Sequence, residues 1–132
     1  MKYILALTLI ISVTSAAVLT DEDKIKLKKF SDTCVAQTHV SEKVLEKMRV
    51  NQIEDDPRLK EYIYCIFQKL GLQNSDGTII KDNVLSFASK DPIAEKAMKP
   101  CIDKHGSTGP ETAFSMFVCY KLNLPVGFKT TL

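Results

Sequence analysis

Four cysteines, spread over most of the chain, constrain its fold more than any other feature of the sequence. They are Cys34, Cys65, Cys101 and Cys119, separated by 30, 35 and 17 residues. A structural zinc site needs ligands at short spacings such as C-x-x-C, so these intervals argue against a metal centre. An even number of cysteines in an oxidising compartment predicts two disulfides, but three pairings are possible and the spacing does not choose among them.

Residues 1–17 have the order typical of a secretory signal peptide. Met1 and Lys2 form a short positive start, residues 3–13 are almost wholly apolar, and residues 14–17 are small. The apolar run is too short for a membrane span, which takes about twenty residues. We therefore expect cleavage after Ala16 or Ala17 and a secreted, extracellular mature chain.

The charge balance excludes several classes of protein. The 132 residues include 18 Lys and Arg against 16 Asp and Glu, and 45% of them are apolar. A nucleic-acid-binding domain of this size usually carries a strong basic excess, so no nucleic-acid partner is expected. No second apolar run approaches the length of a membrane span, so stable membrane insertion is not expected either. Residues 18–132 are predicted to form a single domain.

Apolar residues recur at helical spacing along the mature chain, and no segment reads convincingly as a strand. N-cap residues and prolines at the first helical position mark most of the starts. The six predicted helices begin near Asp21, at Glu42 behind Ser41, at Pro57 behind Asp56, at Lys81, at Pro92 behind Asp91, and at Glu111.

The last predicted helix is apolar on nearly every side, so it is expected to run through the middle of the fold. It extends from Glu111 to about Leu122, and residues 106–110 before it are predicted to form a loop. The tail, about 123–132, is unusually apolar for a terminus and is expected to fold back.

Catalytic and metal-binding motifs are scarce. Residues 72–83 imitate a calcium loop, but Leu72 and Asn83 stand where that loop needs its first carboxylate and its bidentate glutamate. His105 precedes a glycine-containing loop that does not match G-x-S-x-G, and no strand leads into it. With only His39 and His105 in the chain, candidates for a general base are few. We expect no enzymatic activity, no metal and no cofactor.

Three segments resemble the insect odorant-binding protein family. They are residues 40–42 (VSE), residues 61–71 (EYIYCIFQKLG), and the stretch from Cys101 through residues 111–114 (ETAF) to Cys119 and Tyr120. The resemblance covers essentially the whole mature chain. That family usually has six cysteines, and its second and fifth would fall at Glu61 and Pro110. Because those two pair with each other in the family, this chain resembles its four-cysteine Minus-C subgroup.

The resemblance implies an all-α fold of six helices around an apolar cavity, with the disulfides Cys34–Cys65 and Cys101–Cys119. The missing bridge would have tied the third helix to the start of the sixth, so the pocket wall is expected to be looser there. The implied function is that of a carrier that binds small hydrophobic odorants or pheromones and carries them through aqueous lymph.

Two other functions remain open at this point. One is a non-olfactory carrier of lipids, hormones or xenobiotics in haemolymph or gland secretion, and the other is a secreted interaction or defence protein without a ligand cavity. Besides the small hydrophobic ligand, an odorant receptor or a second copy of the chain is a candidate partner.

Apolar helical stripes and the resemblance together give a set of candidate ligand-binding residues, for which filling the core is the simpler alternative. In this set, Tyr120 offers a hydroxyl for a polar head group, and Phe128 is a candidate lid. Release of ligand at low pH, as in some family members, would have to involve His39, His105 or carboxylates. The candidates are Phe30, Leu59, Ile63, Phe67, Val84, Phe87, Met98, Phe114, Phe117, Tyr120 and Phe128.

Overall fold

The structure is a computed structural model that describes residues 21–126. The predicted signal peptide, residues 1–17, and the candidate lid Phe128 lie outside the described residues. The start of the tail is included, and Val126 there is fully exposed. Residues 127–132 lie outside the described residues, so the folding back of the tail stays a prediction.

Six α-helices and one short 3₁₀ helix make up the described part of the chain, and no strand occurs in residues 21–126. A single antiparallel bridge between Gln73 and Ile79 closes the loop between the third and fourth helices. The helices are α1 Asp21–Thr38, α2 Glu42–Arg49, α3 Pro57–Lys69, α4 Lys81–Ala88, α5 Pro92–Met98, the 3₁₀ helix Lys99–Cys101, and α6 Gly109–Asn123. The all-α prediction is confirmed.

Side-chain caps fix the starts of three of these helices where the sequence predicts them. The Ser41 hydroxyl accepts the backbone N–H of Lys43 at the start of α2. The carboxylates of Asp56 and Asp91 each accept two backbone N–H groups, at the starts of α3 and α5. Each cap satisfies donors that the first helical turn leaves without a carbonyl partner.

The predicted start of α6 is wrong by two residues. Gly109 and Pro110 belong to the first turn of the helix instead of the preceding loop. The Thr108 hydroxyl caps the helix by accepting the N–H of Glu111. Proline has no N–H to lose and fits this first turn, so a Gly-Pro pair that looked like loop chemistry begins the helix.

Helices α3 and α6 form the centre of the fold. Helix α6 packs along α3 on one side and against α5 on another, and α1 packs on α3 from outside. Ala113, Met116 and Phe117 of α6 are all buried, as expected for a helix with almost no polar face. No helix in the described residues is long and apolar enough to cross a bilayer.

Two disulfides connect the helices, with the pairing that the family resemblance implies. Cys34–Cys65 joins α1 to α3, and Cys101–Cys119 joins the 3₁₀ helix to α6. Neither bridge reaches α2 or α4. The covalent framework therefore holds the outer helix α1 and the chain after α5 to the central pair, and leaves the remaining helices to side-chain packing.

Candidate ligand-binding site

The ten candidate residues within the described chain all belong to one apolar cluster. Six of them are buried in it: Leu59, Ile63, Phe67, Val84, Met98 and Phe117. Four are partly buried and pack against it: Phe30, Phe87, Phe114 and Tyr120. This placement suits core packing and ligand binding alike, so the ligand-binding role stays a prediction.

A small apolar cavity lies inside this cluster, between α2, α3 and α6. Its volume is about 10 Å³, which is room for about one water molecule. Ile63, Phe67 and Phe117 are the candidates that line it. The lining residues are Met48, Tyr62, Ile63, Ile66, Phe67 and Phe117.

The set of candidates lacks three of these lining residues. Met48 and Ile66 lie on the apolar stripes predicted for α2 and α3, but were not selected as pocket residues. Tyr62 was not selected either. Its spacing of four residues from Ile66, on the same helical face, is the signal that could have identified it.

A larger depression, which we call the α1–α2 groove, opens to solvent beside this cavity. Its volume is about 570 Å³. Leu27, Val35, Leu45 and Tyr62 give it apolar surface, and Ser31 lies among them. Charged residues complete the lining: Lys24, Lys28, Asp32, Glu42 and Arg49. Nζ of Lys28 lies 3.5 Å from Oδ2 of Asp32, and Nη1 of Arg49 lies 3.4 Å from Oε1 of Glu42. Four of the five charged residues therefore form ion pairs with one another.

Tyr62 is held by a hydrogen bond across two helices. Its hydroxyl oxygen lies 2.8 Å from Oγ of Ser31, so the bond links α3 to α1. The residue is only 3% exposed. Burial raises the pKa of Tyr62 above its ordinary value of 10.0, which keeps the phenol neutral and able to donate.

A second depression, which we call the Glu61–Pro110 groove, lies between α1, α3 and α6. It measures about 550 Å³ and is bounded by the end of α1, one face of α3 and the start of α6. Glu61 and Pro110 both line it, together with Cys65 of the first disulfide. These are the two positions where the resemblance places the missing pair of cysteines. The structure therefore brings both positions to one opening between α3 and α6.

The polar residues that the sequence singled out lie apart from the cavity. Tyr120 is half-buried against the cluster, and burial raises its pKa. His39 and His105 are both exposed. In the loop that imitates a calcium site, the Asp76 carboxylate accepts the N–H of Thr78, which lowers the pKa of Asp76. No group of three or more metal-ligating side chains occurs between residues 21 and 126.

Comparison with known proteins gives a consistent set of relatives. Residues 16–123 match the sequence profile of the PBP/GOBP family. The B1 protein of Tenebrio molitor is 30% identical over 123 residues, which cover 90% of this chain and 94% of that protein. Odorant-binding protein 10 of Aedes aegypti is 30% identical over 103 residues, covering 74% of this chain and 73% of that protein.

A solved structure extends this similarity to the fold. The fatty acid binding protein OBP56a from the oral disk of the blowfly Phormia regina superimposes with a TM-score of 0.62 and 30% sequence identity. The match covers 80% of this chain and 94% of the blowfly chain.

Proposed function

The chain belongs to the PBP/GOBP family, and from this membership we propose that it is a secreted carrier of small hydrophobic odorants or pheromones. The ligand binds in an internal apolar pocket and is carried through aqueous lymph. The two disulfides agree with the four-cysteine Minus-C subgroup of odorant-binding proteins.

The observation that carries this proposal is the apolar cluster between α3 and α6, which has a cavity at its centre. Phe117, from the middle of α6, is 2% exposed and lines that cavity. A ligand that buries about 300 Å² of apolar surface gains about 7 kcal/mol before ordering costs, which corresponds at most to binding in the micromolar range. Apolar burial therefore supplies the driving force without any charged contact.

Binding requires the interior to open. Ligand pockets in proteins generally measure about 300–1,000 Å³, whereas the cavity measures about 10 Å³. The side chains of the cluster must therefore separate as a ligand enters. We assign the ligand contacts first to Phe117, Ile63 and Phe67, which already line the cavity, and then to the candidates packed around them.

Secretion is part of the proposal and has its own test. Signal-peptide removal leaves a chain that starts at Ala17 or Val18, which the intact mass of protein purified from its native tissue identifies. The tissue itself separates an olfactory role from a carrier in haemolymph or gland secretion. A native mass spectrum of the same sample shows whether a small molecule is bound.

The test of binding is displacement of the fluorescent probe N-phenyl-1-naphthylamine from the mature, oxidised protein. The competitors are an apolar alcohol, an ester and a long-chain fatty acid, the last chosen because the blowfly relative is named a fatty acid binding protein. Saturable uptake with displacement by at least one competitor supports the carrier function. Absence of saturable uptake contradicts it and favours a secreted protein without a ligand site.

A further inference from the structure

One residue is shared by the lining of the α1–α2 groove and that of the interior cavity. Tyr62 belongs to both, and the other lining residues belong to one or the other. The Tyr62 side chain thus lies between a depression of about 570 Å³ and an apolar cavity of about 10 Å³. A displacement of this single side chain would connect the two spaces.

A hydrogen bond at the edge of the α1–α2 groove holds the Tyr62 side chain. Its hydroxyl and Oγ of Ser31 are 2.8 Å apart. Ser31 itself lines the α1–α2 groove, so both hydroxyls lie at the boundary with solvent. An entering molecule with a hydrogen-bonding head group can bond to both hydroxyls in place of the bond between them. The new bonds offset the cost of breaking the old one.

Helix α2 is the wall of both spaces that no disulfide restrains. Leu45 and Arg49 of α2 line the groove, whereas Met48 of the same helix lines the cavity. Neither disulfide reaches this helix of eight residues, whereas Cys34–Cys65 fixes α1 to α3. The backbone of α2 also approaches the other helices less closely than α1, α5 or α6 do.

The connections at both ends of α2 adopt an uncommon conformation. His39 before it and Asn51 after it have φ of 58° and 65°, and they are the non-glycine residues with positive φ in the described chain. Asn and His adopt this region more readily than most other side chains, and His39 and Asn51 follow the last turns of α1 and α2, where it is a common helix stop. Any outward movement of α2 would turn about these two connections.

We propose that Tyr62 is the gate of the ligand site and that its hydrogen bond to Ser31 is the latch. The ligand enters through the α1–α2 groove while α2 moves outward, and the gate closes behind it. The substrate class is an apolar molecule with one hydrogen-bonding head group, which contacts the Ser31 and Tyr62 hydroxyls on its way in. This inference rests on the carrier function and adds the route and the residues that control it.

The test measures association and dissociation rates of N-phenyl-1-naphthylamine by stopped-flow fluorescence. Tyr62→Phe and Ser31→Ala each remove one side of the latch without removing the ring that lines the cavity. Tyr64→Phe is the matched control, because Tyr64 lies on the same helix and its hydroxyl bonds to backbone carbonyls of Asn74 and Ser75 instead. Circular dichroism confirms that each variant is folded.

Loss of the latch is expected to raise both rate constants by about three- to tenfold, the effect of one hydrogen bond, while the affinity changes little. The double variant is expected to match the single ones, because the same bond is lost. A rise in the dissociation rate alone would make Tyr62 a simple ligand contact and overturn the gate. Rates unchanged in both variants, or changed equally in Tyr64→Phe, also overturn it. If the wild-type protein takes up no probe, the carrier function itself fails.

Discussion

Nζ of Lys60 lies 2.9 Å from Oε1 of Glu111, and this ion pair joins α3 to the first turn of α6. The same ammonium group is 2.6 Å from Asp55 and 5.1 Å from the centre of the Phe114 ring. Lys60 precedes Glu61 and Glu111 follows Pro110, so the ion pair stands directly beside the positions of the two missing cysteines. A non-covalent contact thus connects the two helices at the place where the family resemblance puts the missing disulfide.

Replacing Lys60 by Met is therefore expected to destabilise the protein more than replacing an ordinary surface lysine. The Lys60 side chain is only 15% exposed and contacts two carboxylates and an aromatic ring, whereas exposed ion pairs contribute little. Lys81→Met is the control, because Lys81 pairs with Asp103 at 2.7 Å but both side chains are exposed. We expect thermal unfolding of Lys60→Met to occur several degrees lower, and equal losses in the two variants would contradict the bridging role.

The contribution of Lys60 to the stability of the folded protein is expected to disappear at alkaline pH. Hydrogen bonds to Asp55 and then to Glu111 raise the pKa of Lys60 above its ordinary value of 10.5. A raised pKa means that the stabilisation is fully present below pH 10.5 and is lost as the pH rises through the folded-state pKa. The difference in melting temperature between wild type and Lys60→Met should hold constant from neutral pH upward and close only beyond that point. A difference that already closes near neutral pH would assign the stabilisation to another group.

Restoring the third disulfide is expected to stabilise the protein and reduce its response to ligand. Glu61→Cys with Pro110→Cys places two thiols in the lining of one groove. Closing a loop of this length is worth up to about 4 kcal/mol in the chain-entropy model. In the wild type, ligand is expected to slow hydrogen exchange in α3 and α6, and in the oxidised double variant this effect should be smaller. The reduced double variant is the control. If saturating ligand leaves hydrogen exchange in α3 and α6 of the wild type unchanged, the pocket wall between these helices is not loose.

Phe117 is expected to matter for binding more than any lysine on the surface of α1. Phe117→Leu keeps an apolar side chain in the core but shortens the wall of the cavity, and should raise the Kd for N-phenyl-1-naphthylamine about fivefold. Phe114→Ala should weaken binding less, because Phe114 is only partly buried. Lys26→Ala is the control, since its side chain is 61% exposed. The same Kd in all three variants would place the probe outside the cluster.

Ligand affinity is expected to be insensitive to mild acid. Both histidines are exposed and neither lines the cavity, and burial keeps the pKa of Tyr62 above 10.0. No group that lines the described cavity therefore changes charge between about pH 7.5 and pH 5. A probe titration over this range should be flat. A loss of affinity that His105→Gln or His39→Gln abolishes would instead establish a pH switch.

The helices could be predicted from the sequence because their signals are local. Ser41, Asp56 and Asp91 cap helices within three residues of themselves, and such contacts are readable without knowledge of the fold. The error at Gly109 is of the same local kind, since a Gly-Pro pair suits both a loop and a first helical turn. The disulfide pairing was different, because spacing left three choices and only the family resemblance selected one.

The features that control the site depend on contacts between distant residues. The Lys60–Glu111 pair spans 51 residues, and the Ser31–Tyr62 bond spans 31. No local pattern in the sequence predicts either contact, because the partners meet only after α1, α3 and α6 have packed. The sequence likewise identified an apolar interior but not the size of its cavity, which depends on how completely the side chains fill the space.

The most direct test of the carrier function is a crystal structure of the mature protein grown with a long-chain alcohol. We predict that the alkyl chain lies between Met48, Ile66 and Phe117, in an enlarged form of the cavity that these residues line now. The head group is expected at the end of the enlarged cavity that lies against the Tyr62 ring. An alcohol bound only in a surface groove, with the cavity unchanged at about 10 Å³, would contradict the account.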